Sequence, residues 1–464
     1  MDYVPHSEQD IKNMLKACGL KGVDELFSTI PAKIRQKGPS ELPKPLCEEE
    51  ALRYMIDASA ENVISTEFPS FLGAGLYSHF IPSVIGNLLA RSEFLTSYTP
   101  YQAEASQGVL QAIYEYQSMM AELTAMDVSN ASSYDGATAC ADALVLLKES
   151  FGDKRKRVLV SAGLHPEYRE VMSTYNFGLE MSIEEIPLKN GLTNYEALEE
   201  AIGKDVAGYF IQYPNCLGLI EDIPRLEKLN GKMHSAGGLA VAVNYPLALS
   251  ILKPPGAIGF DIAVGEGQSL GLPLNFGGPL LGYFTVKREL IRKLPGRLVG
   301  RTLDVDGNEG FVLNLQAREQ HIRREHATSN ICTNEAMCAL AAGMYLTYWG
   351  KVGFQVLGRL ILARANYLAQ RITDVEGAEL KFPGIPFFNE IVVRLDRDPA
   401  LLIDELFDLE YIAGLPLGGW FRELDDCMLL AVTESTEPDD MDSFCDDLEA
   451  CIQGILEGGD FSEN

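Results

Sequence analysis

The chain has 464 residues, with 38 basic and 66 acidic side chains and a formal net charge of −28. Its length predicts two or three domains, and an apolar fraction of 47% is enough to fill a large core. The negative charge argues against a nucleic-acid partner, whose phosphates require a basic protein face. Nine cysteines without a CxxC pair indicate neither a zinc site nor a c-type haem site, and are typical of reduced thiols in the cytoplasm.

The charge is unevenly distributed along the chain. Residues Asp396–Asn464 carry 20 acidic and 2 basic side chains, whereas Lys287–His326 carries 9 basic and 6 acidic ones. A basic stretch in an acidic protein predicts either a site that faces an anion or a solvated helix face crossed by ion pairs. The sequence favours neither interpretation.

The sequence does not indicate export or membrane insertion. The first six residues have no basic region followed by an apolar run, so we expect no signal peptide. Three stretches lack charged side chains over a length that could span a membrane: Phe68–Ala90, Met233–Leu252 and Gly267–Val286. Glycine and proline interrupt each of them, which favours buried strands joined by turns. We therefore expect no membrane partner.

We expect residues 1–65 to form an N-terminal helical arm. Four residues near its start fall on one face of a short helix: Ile11, Met14, Leu15 and Cys18. Three prolines between Lys37 and Pro45 prevent a long regular element there.

Strands alternate with helices in the middle of the chain. Apolar residues spaced by three and four predict a helix over Ser106–Met126, and a second helical stretch is Asp222–Ser235. Five short apolar runs are typical of buried strands: Val158–Ala162, Val206–Gln212, Leu239–Val243, Phe260–Val264 and Leu280–Val286. This alternation predicts an α/β fold, with a mainly parallel sheet covered on both faces and right-handed crossovers. We assign residues 66–330 to this large domain.

The remaining residues, 331–464, are predicted to form a smaller C-terminal α/β domain. It begins with two long helices, Cys332–Trp349 and Gly353–Ile372, the first capped by Thr333. Further strands and helices follow: Phe388–Leu395, Pro399–Leu409, Met428–Val432 and Pro438–Leu456.

The loop Tyr134–Ala139 precedes a helical stretch. Its small residues leave backbone N–H groups free at a helix N-terminus, which suits a phosphate group. The residues that would hold this group are Asp135, Gly136, Ala137 and Thr138. The pattern equally fits an ordinary helix start capped by Asp135, and from the loop alone the ordinary start is favoured.

Three segments have a composition frequent in binding sites. Phe71–His79 and Ser97–Gln102 are rich in glycine, tyrosine and hydroxyl groups, which suit either binding loops or structural turns. Arg318–Asn334 supplies three arginines and two histidines. His321 and His326 are five residues apart, which is poor spacing for two metal ligands on one helix face.

Together with Tyr3–Ser7 and Leu294–Gly300, these three segments resemble glycine decarboxylase, the P-protein of the glycine cleavage system. The resemblance covers nearly the whole length and is closest to subunit 1, the α subunit of the two-subunit form. His326 is a departure, because the family usually has lysine there.

The resemblance implies an aspartate-aminotransferase-like fold, that of pyridoxal-phosphate (PLP) transferases of type I. It also implies a PLP-dependent oxidoreductase that decarboxylates glycine and passes the aminomethyl group to the lipoyl arm of H-protein. The family's two-subunit form is an α2β2 assembly, so the expected partners are a β subunit and lipoylated H-protein.

Two groups that the cofactor requires are absent. The resemblance places the Schiff-base lysine at Gln268 and the carboxylate that pairs with the pyridinium nitrogen at Asn244. An amide is not a usable nucleophile, so we expect no covalently bound cofactor here and a lysine-bearing β subunit that carries it. The loop residues 135–138, Asn244 and Gln268 would then form a vestigial cofactor site.

The chain is therefore expected to border the active site of its partner and to be active only in the complex. The candidates for this shared cleft are Tyr77, Tyr98, Tyr101, Arg318 and Arg324. The arginines would bind the glycine carboxylate or an anionic cofactor group, or only brace the interface. Two alternatives are a non-catalytic scaffold that docks a lipoyl carrier protein, and a self-sufficient PLP enzyme that uses Lys253 with Asp222.

Overall fold

The computed structural model describes residues 5–36, 42–65, 67–327, 329–331 and 333–454. It divides into two compact units, Met1–Val63 and Ile64–Asn464. Some predicted features lie outside the described residues, among them residues 37–41 of the proline-rich break, Cys332 and Leu456. Among the described residues, no helix is long and apolar enough to span a bilayer.

The first unit contains two helices, α1 (Glu8–Ala17) and α2 (Glu48–Ser59), with a 3-10 turn at Val23–Phe27. Helix α1 begins at a capping box, in which the Ser7 hydroxyl accepts from the Asp10 N–H and the Asp10 carboxylate accepts from the Ser7 N–H. None of the described residues of this unit is buried. The division of the chain at residues 65 and 330 stays a prediction.

The second unit is built from helices and strands that largely alternate. Its helices are α3 (Ser83–Leu89), α4 (Ser92–Leu95), α5 (Gln107–Thr124), α6 (Gly136–Phe151), α7 (Pro166–Leu179), α8 (Tyr195–Ala201), α9 (Ile223–Ala236), α10 (Pro255–Ile258), α11 (Gln320–Arg323), α12 (Ala336–Ile372), α13 (Pro399–Asp408) and α14 (Pro438–Gln453). Its strands are β1 (Val128–Ser129), β2 (Arg157–Ser161), β3 (Ser182–Ile186), β4 (Leu188–Lys189), β5 (Leu192–Thr193), β6 (Val206–Gln212), β7 (Leu239–Val243), β8 (Ile262–Glu266), β9 (Gly282–Val286), β10 (Leu298–Leu303), β11 (Glu309–Asn314), β12 (Ala378–Leu380), β13 (Glu390–Leu395), β14 (Leu415–Pro416) and β15 (Cys427–Ala431).

The central sheet has seven strands in the order β1-β9-β8-β7-β6-β2-β3. The five strands from β8 to β3 are parallel, and β9 and β1 extend the sheet in antiparallel fashion. The predicted strands Val206–Gln212 and Leu239–Val243 have the observed bounds of β6 and β7. The prediction of an α/β fold with a mainly parallel sheet is confirmed.

Both faces of the central sheet are buried, as a parallel sheet requires. Successive side chains of a strand point to opposite faces, and β7 divides accordingly. Val241 and Val243 pack in the hydrophobic cluster that contains α6, while Ala240 and Ala242 pack in the cluster that contains α9. These two layers hold the carboxyl ends of the parallel strands in a fixed position.

The C-terminal part contains a four-stranded antiparallel sheet in the order β12-β13-β15-β14. Leu368, Leu402 and Phe444, from α12, α13 and α14, pack in one cluster with strand residues of this sheet. The two predicted helices lie within α12, which is divided by a non-helical residue at Gly350, where φ is 56°, between the predicted end at Trp349 and the predicted start at Gly353. The predicted cap at Thr333 is wrong: Glu335 precedes the first helical residue and makes no side-chain cap.

The basic stretch Lys287–His326 is not a helix face over most of its length. Its middle forms the antiparallel hairpin β10–β11, with Leu298 opposite Asn314. Arg301 and Glu309 are exposed on the hairpin and form an ion pair of 3.1 Å between its strands. The helical interpretation is therefore wrong there, because the ion pair is set by cross-strand pairing and not by helical spacing.

Phe71 joins the segment before α3 to the C-terminal sheet. Its ring is fully buried and stacks on Phe444 with 4.1 Å between centroids, and its N–H donates to the Ile412 carbonyl. We expect Phe71→Ala to lower the free energy of unfolding by about 3–5 kcal/mol, because it leaves a cavity. Leu72→Ala is the control: that side chain is 46% exposed, and a change below about 1 kcal/mol is expected. Equal losses in a denaturant titration would contradict this role for Phe71.

Candidate functional site

The carboxyl ends of β7 and β8 meet the N-terminus of α6 at one edge of the central sheet. Strand β8 ends at Glu266, and Asn244 follows β7 directly. The Gly136 N–H at the start of α6 donates to Glu266 Oε2 over 2.9 Å. Open α/β sheets bind ligands at this edge, and a helix N-terminus there favours an anion. The structure thus brings together the residues of the predicted cofactor site.

Gln268 is 1% exposed and its side-chain amide is held by backbone groups. Its Nε2 donates to the carbonyls of Tyr77 at 3.1 Å and Leu272 at 2.7 Å, and its Oε1 accepts from the Tyr77 N–H at 3.2 Å. The amide therefore pairs with both backbone groups of Tyr77. It ties the segment before α3 to the turn after β8, and it has no free amine.

Asn244 occupies the place where the resemblance expects a carboxylate. It is 3% exposed, and its Nδ2 donates to the Tyr213 carbonyl at 2.9 Å. Its Oδ1 is buried without a hydrogen-bond partner among the described residues. A neutral amide cannot stabilise a protonated ring nitrogen as a carboxylate does.

The predicted phosphate loop forms a capped helix start. Asp135 Oδ1 accepts from the Thr138 N–H at 2.7 Å, and the Thr138 hydroxyl accepts from the Asp135 N–H. The prediction that Asp135 caps this helix is confirmed. A methyl group added at Gly136 would lie 2.8 Å from the Glu266 nitrogen and would also clash with the Tyr168 hydroxyl. The Gly136 N–H at the start of this helix is already paired with Glu266 Oε2.

Glu266 is the residue of this site that sequence reasoning missed. Its carboxylate is buried and accepts from three backbone N–H groups, those of Gly136, Gln268 and Leu281, each at 2.9 Å. Burial raises the pKa of Glu266 to about 7, although the three N–H groups oppose this shift. A lone acidic residue at the end of an apolar strand, directly before the charge-free stretch Gly267–Val286, was the available signal.

These residues do not fit pyridoxal phosphate, the cofactor that the fold implies. The resemblance expects an amine at residue 268 and a carboxylate at residue 244, and a phosphate group would require an open helix N-terminus at Gly136. The chain has amides at the first two positions, and the third is covered by the carboxylate of Glu266. No catalytic step through the cofactor follows from this site.

A second buried network lies beside Tyr77. The Tyr77 ring is 4.7 Å from that of Tyr245, whose hydroxyl is hydrogen-bonded to His79 Nε2. His79 Nδ1 lies 2.8 Å from Glu434 Oε2. Burial alone would raise the pKa of Glu434, but the contact with His79 and backbone N–H groups lower it overall. His79 and Glu434 thus join the segment before α3 to the loop after β15.

Two arginines, the half-buried Arg318 and the buried Arg297, hold the turn before β10 and the loop before α5. Arg318 Nη2 donates to the Gly296 carbonyl at 2.9 Å, and its Nη1 donates to the Leu294 carbonyl. Arg297, which sequence reasoning did not single out, is 2% exposed and donates to the hydroxyls of Thr99 at 3.0 Å and Tyr101 at 3.1 Å. Arg318 therefore supports the turn that positions Arg297.

The five shared-cleft candidates differ in exposure. Tyr77 is buried beside Gln268, and Arg318 is half-buried against the turn. Tyr98 is 74% exposed and Tyr101 is 55% exposed, and Arg324 is exposed in a left-handed backbone conformation. The structure leaves three of the five accessible to a partner.

Lys253 and Asp222, the residues of the alternative in which the chain is a self-sufficient PLP enzyme, each have a partner on α9. Lys253 is about half exposed and forms an ion pair with Glu227 of α9. Asp222 caps the same helix by accepting from the Arg225 N–H at 3.2 Å. Both side chains thus interact with α9.

A family model described as "Glycine cleavage system P-protein" matches residues 1–448. The chain belongs to the glycine cleavage system P-protein family. Two relatives named "Probable glycine dehydrogenase (decarboxylating) subunit 1" are similar over nearly their whole length. The one from Moorella thermoacetica is 46% identical over 98% of this chain and 100% of its own, and the one from a Geobacillus species is 45% identical over 97% and 99%.

Solved structures support the same family and its fold. A crystal structure of glycine decarboxylase (P-protein) of the glycine cleavage system, in inhibitor-bound form, has a TM-score of 0.88 and 43% identity, and covers 97% of this chain and 99% of its own. Lactobacillus brevis glutamate decarboxylase has a TM-score of 0.68 at 15% identity over 93% of this chain and 98% of its own, and shows the fold alone. The predicted aspartate-aminotransferase-like fold is confirmed.

The hydrogen bonds of Gln268 predict a structural role. We expect Gln268→Leu to lower the free energy of unfolding by about 2–4 kcal/mol, because it leaves the backbone groups of Tyr77 and Leu272 buried and unpaired. Ser269→Ala is the matched control, since the Ser269 hydroxyl is buried without a hydrogen-bond partner among the described residues. Its removal should change stability by less than about 1 kcal/mol. A Gln268→Leu variant as stable as Ser269→Ala in chemical unfolding would refute this role.

Glu390 predicts a dependence of stability on pH. Its buried carboxyl accepts from the Ala74 N–H at 2.7 Å, and burial raises its pKa from the ordinary 4.5 to about 7. A pKa that is higher in the folded chain stabilises the fold fully below pH 4.5, and this contribution is lost as the pH rises through 7. Between pH 5 and pH 8 the wild type should lose about 2 kcal/mol more of its free energy of unfolding than Glu390→Gln does, as measured by chemical unfolding at both pH values. The exposed Glu423→Gln variant, as control, should keep the wild-type profile.

Proposed function

We propose that this chain is the α subunit of a glycine decarboxylase that is active only together with a lysine-bearing β subunit. In this proposal β carries the pyridoxal phosphate, glycine loses CO₂, and the aminomethyl group passes to the lipoyl arm of H-protein. The observation that supports it most is that Gln268, at the position where the resemblance expects the lysine, has an amide side chain held by three hydrogen bonds. The names of the subunit 1 relatives agree with it.

The assembly in this proposal is a cytoplasmic α2β2 heterotetramer that receives lipoylated H-protein. In this assembly the chain contributes residues to the active-site cleft of the β subunit and stabilises the conformation of that cleft. Tyr98, Tyr101 and Arg324 are exposed and are the residues we assign to contact with substrate or cofactor in the partner's cleft. An arginine there would bind the glycine carboxylate or an anionic cofactor group.

Tyr77 and Arg318 are assigned to positioning. Arg318 supports the turn at Leu294–Gly296, and Arg297 from this turn holds Tyr101 through a hydrogen bond and through its ring face, 5.1 Å from the guanidinium. Tyr77 is bound through its backbone to Gln268. Neither side chain needs to be exposed for this role.

The proposal is tested by exchange of labelled CO₂ into the carboxyl group of glycine, with H-protein present. The chain alone, the lysine-bearing subunit alone and their mixture are compared, and only the mixture should be active. Exchange by the chain alone, with a lysine trapped by borohydride in the presence of pyridoxal phosphate, would establish the self-sufficient alternative. An inactive mixture in which the chain still binds H-protein would establish the scaffold.

A substitution of Arg324 tests the shared cleft. We expect Arg324→Gln to lower the exchange rate of the mixture by about tenfold, which equals about 1.4 kcal/mol of transition-state stabilisation. The thermal midpoint of the chain should stay unchanged, because Arg324 is exposed. Arg225→Gln on α9 is the control and should be as active as the wild type. Unchanged kcat and KM in the Arg324 variant would remove it from the cleft.

A further inference from the structure

The carboxylate of Glu266 sits where an anionic ligand would bind. Its Oε2 accepts from the Gly136 N–H at the N-terminus of α6, and its Oε1 accepts from the N–H groups of Gln268 and Leu281. These donors come from three separate segments: the start of α6, the turn after β8 and the residue before β9. A negative group surrounded by backbone N–H donors at a helix N-terminus is the arrangement by which proteins bind phosphate.

The same place is closed to a second anion. The Gly136 N–H already donates to Glu266 Oε2 over 2.9 Å, so the side-chain oxygen occupies the position that a ligand oxygen would take. The Asp135 carboxylate caps the same helix one residue earlier. A phosphate could reach the Gly136 N–H only if the Glu266 side chain moved away, and it would then meet two carboxylates.

The space next to this carboxylate is also occupied. The Gln268 side chain fills it and is fixed at Tyr77 on one side and Leu272 on the other. Glu266 and Gln268 are further linked, since the Gln268 N–H donates to Glu266 Oε1. Two side chains of one turn therefore cover both the phosphate position and the lysine position.

We propose that the carboxyl group of Glu266 replaces the cofactor phosphate in this chain as the acceptor for these three N–H groups. It supplies the acceptor that the N–H groups at this sheet edge require, so the chain completes its fold without a cofactor and excludes phosphate ligands. The inference deepens the proposed function, since it explains why the cofactor belongs to the partner. It is tested on the chain alone, without glycine, so that its failure would leave the exchange experiment unaffected.

The test is chemical rescue by inorganic phosphate. Glu266→Ala removes the carboxylate and opens space in front of α6, so this variant should melt at a lower temperature than the wild type. Millimolar phosphate should raise the melting temperature of the variant by about 2 °C or more relative to chloride at equal ionic strength, because a ligand that binds only the folded state stabilises it. The wild type should show no such difference. The exposed Glu289→Ala variant is the control and should behave as the wild type does.

Two results would overturn the inference. One is a wild-type chain that gains as much from phosphate as the Glu266→Ala variant does, and the other is a folded variant that gains nothing over chloride. Should Glu266→Ala fail to fold, Glu266→Gln keeps the side-chain volume, and its folded form should show no rescue. Equilibrium dialysis of the wild-type chain against labelled phosphate decides in every case: saturable binding of one phosphate per chain would contradict the proposal, and its absence would support it.

Discussion

The edge of the sheet where β7, β8 and α6 meet is governed by one constraint: buried backbone N–H groups there must find acceptors. An unpaired buried donor costs about 1–3 kcal/mol, and at least four donors converge on this place: those of Gly136, Thr138, Gln268 and Leu281. Side chains of the chain itself supply the acceptors, namely the carboxylates of Glu266 and Asp135. These bonds also position the rest of the site. Glu266 fixes the turn after β8, this turn fixes Gln268, and Gln268 holds the segment that contains Tyr77.

Charged and neutral side chains satisfy this requirement in different ways. Glu266 satisfies three donors with one carboxylate, whereas Gln268 offers both a donor and an acceptor and so can pair with the two backbone groups of one residue, Tyr77. A lysine has no acceptor and could not form this pair. The amide at residue 268 is therefore a structural part of the fold, and it offers no amine to which a cofactor could bind covalently.

Much of the fold followed from the sequence, since short-range patterns determine it. The apolar runs of β6 and β7, the stripe of α5 and the Asp135 cap are all local, and the structure has them. The hairpin β10–β11 was missed because Arg301 and Glu309 pair across strands and not along a helix. The composition of the loops indicated where the candidate site lies, but the sequence did not reveal which residues contact each other there. Arg297, for example, donates to Thr99 and Tyr101, which lie nearly two hundred positions earlier in the chain. Glu266 likewise acquires its role only when α6 is folded against it.

The joint occupation of this edge by Glu266, Gln268 and Asn244 has an evolutionary consequence. Lysine at residue 268 alone would break the bonds to Tyr77 while the phosphate position stayed filled, and a carboxylate at residue 244 alone would add a buried charge without a counter-ion. A change of Glu266 alone would leave three donors unpaired. Each single reversal is harmful before the others are in place, since mutations of residues in contact do not act independently. If the proposed function is correct, an ancestor that held its own coenzyme could not be regained by any one of these substitutions, so dependence on a second chain would persist without selection to maintain it.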